Sequence, residues 1–160
     1  MDDPYRTVLI NEIAAATGAT GDFVELFNYG SLPVDLSGCS LSDDRDGGKF
    51  SIPSGTLLEP GQWLSIGQTE LGFGLKSGGD TVYFRAPNGV DGAPGRVLEA
   101  IRFGAQRPGL TYGRLPDGAP VFSALAAPSA GAANAGPAAK PAVISEIHYH
   151  PPSGSTRPPF

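Results

Sequence analysis

Three groups of side chains in this 160-residue chain are of types that could do chemistry. The first is Ser42-Asp43-Asp44-Arg45-Asp46-Gly47, where Ser42, Asp44 and Asp46 alternate ahead of a glycine. That spacing imitates the opening of a calcium loop, in which alternate oxygen ligands and a glycine turn wrap a hard cation. The bidentate acid needed at the twelfth loop position is missing, because Pro53 stands there. Asp43, Asp44 and Asp46 are calcium candidates only if oxygens from elsewhere finish the shell. The simpler reading is a solvated turn whose aspartates bond the local backbone. The second group is the carboxylate pair Glu12 and Glu25, which neighbouring strands could bring together. A glycosidase-like dyad would need a cleft between them; otherwise each bonds backbone or an arginine at a sheet edge. The third is His148 and His150, which flank Tyr149 and on a strand would share one side. Two nitrogens are half a zinc site at best.

Nothing else points to catalysis. Residues 1–147 contain no histidine, so no Ser-His-Asp or Cys-His pair can form among them. No glycine-rich phosphate loop precedes a helix. No site beyond the calcium candidate calls for a cofactor, and the chain reads as not an enzyme. The net charge is −5 and the few basic residues are scattered, which argues against nucleic acid as the partner. A single cysteine, Cys39, excludes an internal disulfide, and its apolar neighbours suit a small buried hydrophobe rather than a reactive thiol. No apolar run approaches a membrane span, and no signal peptide precedes the first strand.

The elements that must position these groups are strands. Gly 23 and Pro 16 punctuate a chain whose hydrophobic residues reach 40%, the balance of a turn-rich all-β protein. In 23–28, Phe23, Glu25 and Phe27 alternate with Val24, Leu26 and Asn28, a period of two. Val34, Leu36, Cys39 and Leu41 predict a second strand over 34–41, with Gly38 interrupting it as at a bulge. Further strands are predicted over 7–13, 49–52, 62–67, 81–85, 97–103, 111–115 and 121–125. Glu59-Pro60-Gly61 makes a tight turn. Eight or nine short strands with regular turn signals predict a β-sandwich.

The order of several pieces also resembles a known family. V-L-I-N-E-I at 8–13 and E-L-F-N-Y-G-S-L-P-V-D-L-S-G-C-S-L-S-D-D at 25–44 open the set. K-F-S-I-P-S-G-T-L-L-E-P-G-Q-W-L at 49–64 and S-G-G-D-T-V-Y-F at 77–84 continue it, and G-R-L-P-D-G at 113–118 and P-S-A-G-A-A-N at 128–134 close it. Together they resemble the lamin tail domain, over Val8 to about Asn134; Cys39 departs from the aromatic more often found there in bacterial members. The resemblance implies an immunoglobulin-like β-sandwich. It also implies a module of a longer bacterial protein, extracellular or on the cell surface, that meets an unknown protein or surface partner.

From Ala126 to Ala142 the chain turns to Ala, Pro, Gly and Ser, a closing loop plus linker. V-I-S-E-I at 143–147 then repeats V-L-I-N-E-I at 8–13, as a tandem array would. The expected organisation is a sandwich domain over 1–136, a linker over 137–142 and the first strand of a second, cut repeat over 143–160. Val143, Ile144 and Ile147 would then be orphaned, able to pair with another copy's sheet edge in a dimer that depends on where the chain is cut. The leading functional reading is a non-catalytic binding or spacer module. The alternative is a polymer-binding module, for carbohydrate or nucleic acid, that targets an attached enzyme. It would need Trp63, Tyr83 or Tyr112 exposed and coplanar.

Overall fold

The computed structural model describes residues 3–15, 18 and 21–139. They form an all-β sandwich with two main sheets and one short accessory pair. The first sheet holds β1 (Val8–Ala14), β2 (Phe23–Asn28), β7 (Trp63–Gly67), β10 (Thr111–Arg114) and β11 (Phe122–Leu125), in the order β11-β10-β1-β2-β7. The second holds β4 (Ser40–Ser42), β5 (Phe50–Ser51), β8 (Gly79–Arg85) and β9 (Val97–Gly104), in the order β5-β4-β8-β9. β3 (Val34–Asp35) and β6 (Leu57–Leu58) pair with each other, and all the pairings are antiparallel.

The sandwich has eleven strands rather than eight or nine, and two physical causes account for the difference. The stretch 34–41 is two strands, not one bulged strand. Cys39 N–H donates to Leu36 C=O across a tight turn at Ser37-Gly38, and this sends β3 and β4 to different sheets. Leu57–Leu58 supplies the other strand, a two-residue partner for β3 too short to show periodicity. A four-residue helix, α1 (Gln68–Leu71), also follows β7; the Glu70 side chain accepts the Gly67 N–H at its start and Leu71 is buried.

The inner faces of the two sheets enclose the core. Ile10, Ile13, Val24, Leu26, Leu36, Leu41, Val82 and Phe84 are all fully buried there. The presence of both Ile10 and Ile13 on one face breaks a strict alternation, and the register explains it. Ile10 sits opposite Leu26 and Glu12 opposite Glu25, so Asn11 is an extra residue in β1. A bulge of this kind bends the strand and re-aims the side chains beyond it. It places Ile13 inward and turns Glu12 to the outer face, beside Glu25.

The first two residues of the expected linker pair with the edge of the sandwich. Ala126 N–H donates to Gly136 C=O, Leu125 bridges Pro137, and Ala138 N–H donates to Ala124 C=O. Pro137 and Ala138, the first residues assigned to the linker 137–142, therefore lie along the edge of β11. Low apolar content prevents 126–138 from folding alone, but docking against an existing edge needs only backbone donors and acceptors. The segment 143–160, with the proposed repeat strand and its dimer residues Val143, Ile144 and Ile147, lies outside the described residues. So do His148 and His150. Among the described residues no helix is long and apolar enough to cross a membrane.

Candidate functional site

The place where chemistry-bearing side chains converge is the outer face of β1 and β2. Glu12 and Glu25 are cross-strand partners, and Asn11, Glu12 and Glu25 are each fully buried. What buries them is the segment 128–134, which crosses this face as a lid made from the chain's own backbone.

Glu12 accepts from Thr111 Oγ1 at 2.5 Å and from Ser129 Oγ at 2.7 Å, and Ser129 N–H lies 3.3 Å from both carboxylate oxygens. Glu25 accepts the Gly131 N–H at 2.6 Å and Asn11 Nδ2 at 3.3 Å. Asn11 also donates to Asp117 at 2.7 Å and accepts the Gly118 N–H at 3.1 Å. Asp117 in turn accepts the Asn134 N–H, while Asn134 Nδ2 donates to Arg114 C=O at 2.7 Å and Asn11 C=O at 3.2 Å. Three acids thus hold one loop through N–H and O–H donors. Among the described residues no lysine or arginine forms an ion pair with Glu12, Glu25 or Asp117.

Two glycines make the arrangement fit. A Cβ on Gly113, opposite Glu12 in β10, would stand 2.7 Å from Leu125 Cδ1, 2.8 Å from Asn134 Nδ2 and 2.9 Å from Asn11 C=O. Only a glycine leaves room there for the lid. Gly131 adopts φ 75°, in the left-handed region, within a turn closed by Ala132 N–H on Ser129 C=O. That conformation aims its own N–H at Glu25.

Burial pushes the Glu25 carboxyl up to about 7. Hydrogen bonds from Gly131 and Asn11 pull the other way, and the nearby charges of Glu12 and Asp117 add to the rise. A raised carboxyl beside a second carboxylate is the signature of many acid–base sites. Here it has a different cause: the oxygens face the lid, not a cleft a substrate could enter. The pair is a clasp.

A second buried polar device ties the two sheets together. Arg114 Nε donates to Ile10 C=O at 2.8 Å, Arg114 Nη1 donates to Ala119 C=O at 2.5 Å, and Arg114 forms an ion pair with Glu99 of β9. Glu99 accepts the Ile10 N–H at 2.7 Å. β10 ends at Arg114, short of Ile10 in the β1–β10 register, so Ile10 has no strand partner on that side and the Glu99–Arg114 pair takes its place. Burial raises the Glu99 carboxyl, with the Ile10 hydrogen bond and the Arg114 charge opposing the rise. The Arg114 guanidinium also lies over the Phe122 ring, 4.5 Å from its centroid.

The Asp-rich turn is organised differently. Ser42 Oγ accepts the Asp44 N–H at 2.9 Å, Asp44 accepts the Asp46 N–H at 3.0 Å, and Asp43 lies 2.6 Å from Lys49 Nζ. Asp44 and Asp46 are exposed. Among the described residues no three His, Cys, Asp or Glu side chains converge as a metal site. The aromatic candidates are likewise dispersed. Trp63 stacks on Phe27 at the outer face of β7, Tyr112 stacks on Phe122, and Tyr83 stands in the other sheet. Cys39 is fully buried, and burial raises its thiol to about 11.

Glu12 and Glu25 are the residues that both sequence and structure single out. Asn11, Thr111, Asp117, Ser129 and Asn134 escape a reading by motif because they are scattered over more than a hundred positions. The one signal in the sequence is that Ser129 and Asn134 are the polar side chains in the Ala-rich stretch 126–139; Ser129 reaches Glu12, and the Asn134 N–H reaches Asp117.

No curated protein and no solved structure matches the chain. A family model, the Lamin Tail Domain, matches residues 2–93, from before β1 into the β8–β9 loop. That span is more than half of the chain, and the immunoglobulin-like sandwich described above is completed by 97–138. The chain belongs to the Lamin Tail Domain family, a family of non-catalytic immunoglobulin-like modules.

Proposed function

We propose that this module is not an enzyme and works by holding a protein partner, as one unit of a longer secreted or surface-attached protein. The observation that carries the reading is the outer edge of β9. β9 is an eight-residue strand at the end of its sheet, and among the described residues no backbone hydrogen bond reaches its far side. Ala100, Arg102 and Gly104 are exposed along it. An edge of this length offers unpaired N–H and C=O groups to an extended segment of another protein, which would add as a further strand. The β11 end of the five-stranded sheet lacks this opening, since 136–138 already lies along it, and the β7 end is a shorter strand of five residues. The clasp supports the same reading, because the carboxylates that catalysis would need are occupied by the module's own lid.

Site-specific photo-crosslinking in cells tests it. A photoreactive residue at Ala100 or Arg102 should give discrete protein adducts, and one at Thr69 on α1 should not. Adducts of equal yield at both places, or none at β9, would remove the edge as the working surface.

A further inference from the structure

The lid and its acids have a consequence beyond binding. We infer that Glu12, Glu25 and Asp117 make segment 128–138 a proton-dependent latch, closed at acid to neutral pH and loosened as the pH rises.

The geometry carries this. Glu25 on β2 faces Glu12 on β1 and Asp117 on the β10–β11 turn, and its neighbour on β7 is the uncharged Ser65. From β10 the Glu12 carboxylate meets Thr111, and the guanidinium of Arg114 is committed to Glu99, Ile10 and Ala119. From the lid come the backbone N–H groups of Ser129, Gly131 and Asn134 and the Ser129 hydroxyl. Closing the lid therefore buries Glu12 and Glu25 together, with half-buried Asp117 beside them and, among the described residues, no cation paired with any of the three. Taking one proton up on Glu25 removes both the cost of burying its charge and the repulsion from the other two. Opening the lid admits water and lets Glu25 ionise at its ordinary value. The closed state binds the proton more tightly, so rising pH favours the open state. The raised Glu25 carboxyl agrees with this direction.

What opens is also defined. The lid continues into the backbone ladder of Ala126, Pro137 and Ala138 along β11. Releasing it would uncover the β11 edge of the five-stranded sheet in a pH-dependent manner.

Amide hydrogen exchange on the full chain tests the latch. The amides of Ala126, Gly131, Asn134 and Ala138 should show lower protection than those of Val24 and Leu26 at every pH, which marks an opening smaller than global unfolding. Their protection factors, corrected for intrinsic exchange, should fall by roughly a hundredfold between pH 5 and pH 8. In Glu25→Gln the fall should vanish. Latch amides as protected as the core, or protection independent of pH in the natural chain, would overturn the inference even if Glu25→Gln does not fold. Survival of the full pH dependence in a folded Glu25→Gln would overturn it as well.

Discussion

The Asp-rich turn at 43–46 and the cluster of Glu12, Glu25 and Asp117 carry three acids each, yet the fold treats them in opposite ways. In the turn the acids are consecutive or nearly so, two of them are exposed, and Lys49 neutralises the third. In the cluster they come from β1, β2 and a distant turn, Glu12 and Glu25 are fully buried, and no cation joins them among the described residues. Density of acids along the chain is therefore a poor guide to where charge matters. Water screens the turn, so its side chains do little beyond shaping a local loop. Burial makes the cluster sensitive to every donor it meets. The chain meets that demand with its own closing segment.

If this contrast is right, substitutions should separate the two groupings sharply. The largest effect belongs to Glu12→Ala, which orphans the Ser129 N–H and leaves Thr111 Oγ1 and Ser129 Oγ with only their longer contacts to Ala127 C=O and Asn134 Oδ1. Leaving buried donors unsatisfied should cost about 3–5 kcal/mol in urea-induced unfolding. A loss below about 1 kcal/mol would mean that the lid is not anchored there.

Next comes the response to pH. Glu25 has a folded value of about 7 against 4.5 for the free side chain. Between those values the native state holds more protons than the unfolded chain, so stability from this group is complete below about 4.5 and is lost as pH rises through 7. The loss amounts to ~3 kcal/mol at most, and the burial-raised Glu99 acts in the same direction. Unfolding free energies from pH 4.5 to 8 should fall, and Glu25→Gln should flatten much of the slope. A profile that rises with pH would contradict the sign.

Asn134→Ala should be milder, about 1–2 kcal/mol, because it removes the side-chain donor to Arg114 and Asn11 but spares the Asn134 N–H on Asp117. The smallest effect is expected in the other grouping. Asp44→Ala combined with Asp46→Ala should change stability by no more than about 0.5 kcal/mol, and millimolar calcium should leave the melting temperature of the natural chain in place. A calcium-dependent rise of several degrees, lost in the double variant, would restore the turn as a metal site.

Much of the sandwich was legible in sequence because strands on a packed sheet advertise a period of two. Phe23–Asn28 and Val97–Gly104 are of this kind, and their bounds fall within a residue of expectation. Two-residue strands such as Leu57–Leu58 carry no period, and the turn at Gly38 looks like a bulge until pairing partners are known. The real bulge, at Asn11, hid in V-L-I-N-E-I, where Ile10 and Ile13 share the core only because an extra residue intervenes. The clasp was half legible. Glu12 and Glu25 could be placed on adjacent strands, but their third partner and their lid lie about a hundred residues away, and an Ala-rich segment gives no periodic sign that it docks. Contacts of that range are set by topology, which local pattern does not report.

The claim on which the rest depends is that 128–138 belongs to the fold. Two shortened chains, one ending at Ala139 and one at Ala127, put it to the test in a single thermal-unfolding experiment. The first should melt cooperatively close to the full chain. The second should melt far lower or lose cooperativity, since Glu12, Glu25 and Asp117 are left without the donors of Ser129, Gly131 and Asn134. Equal, cooperative melting of both would show that the segment is an ornament on a sandwich that stands without it.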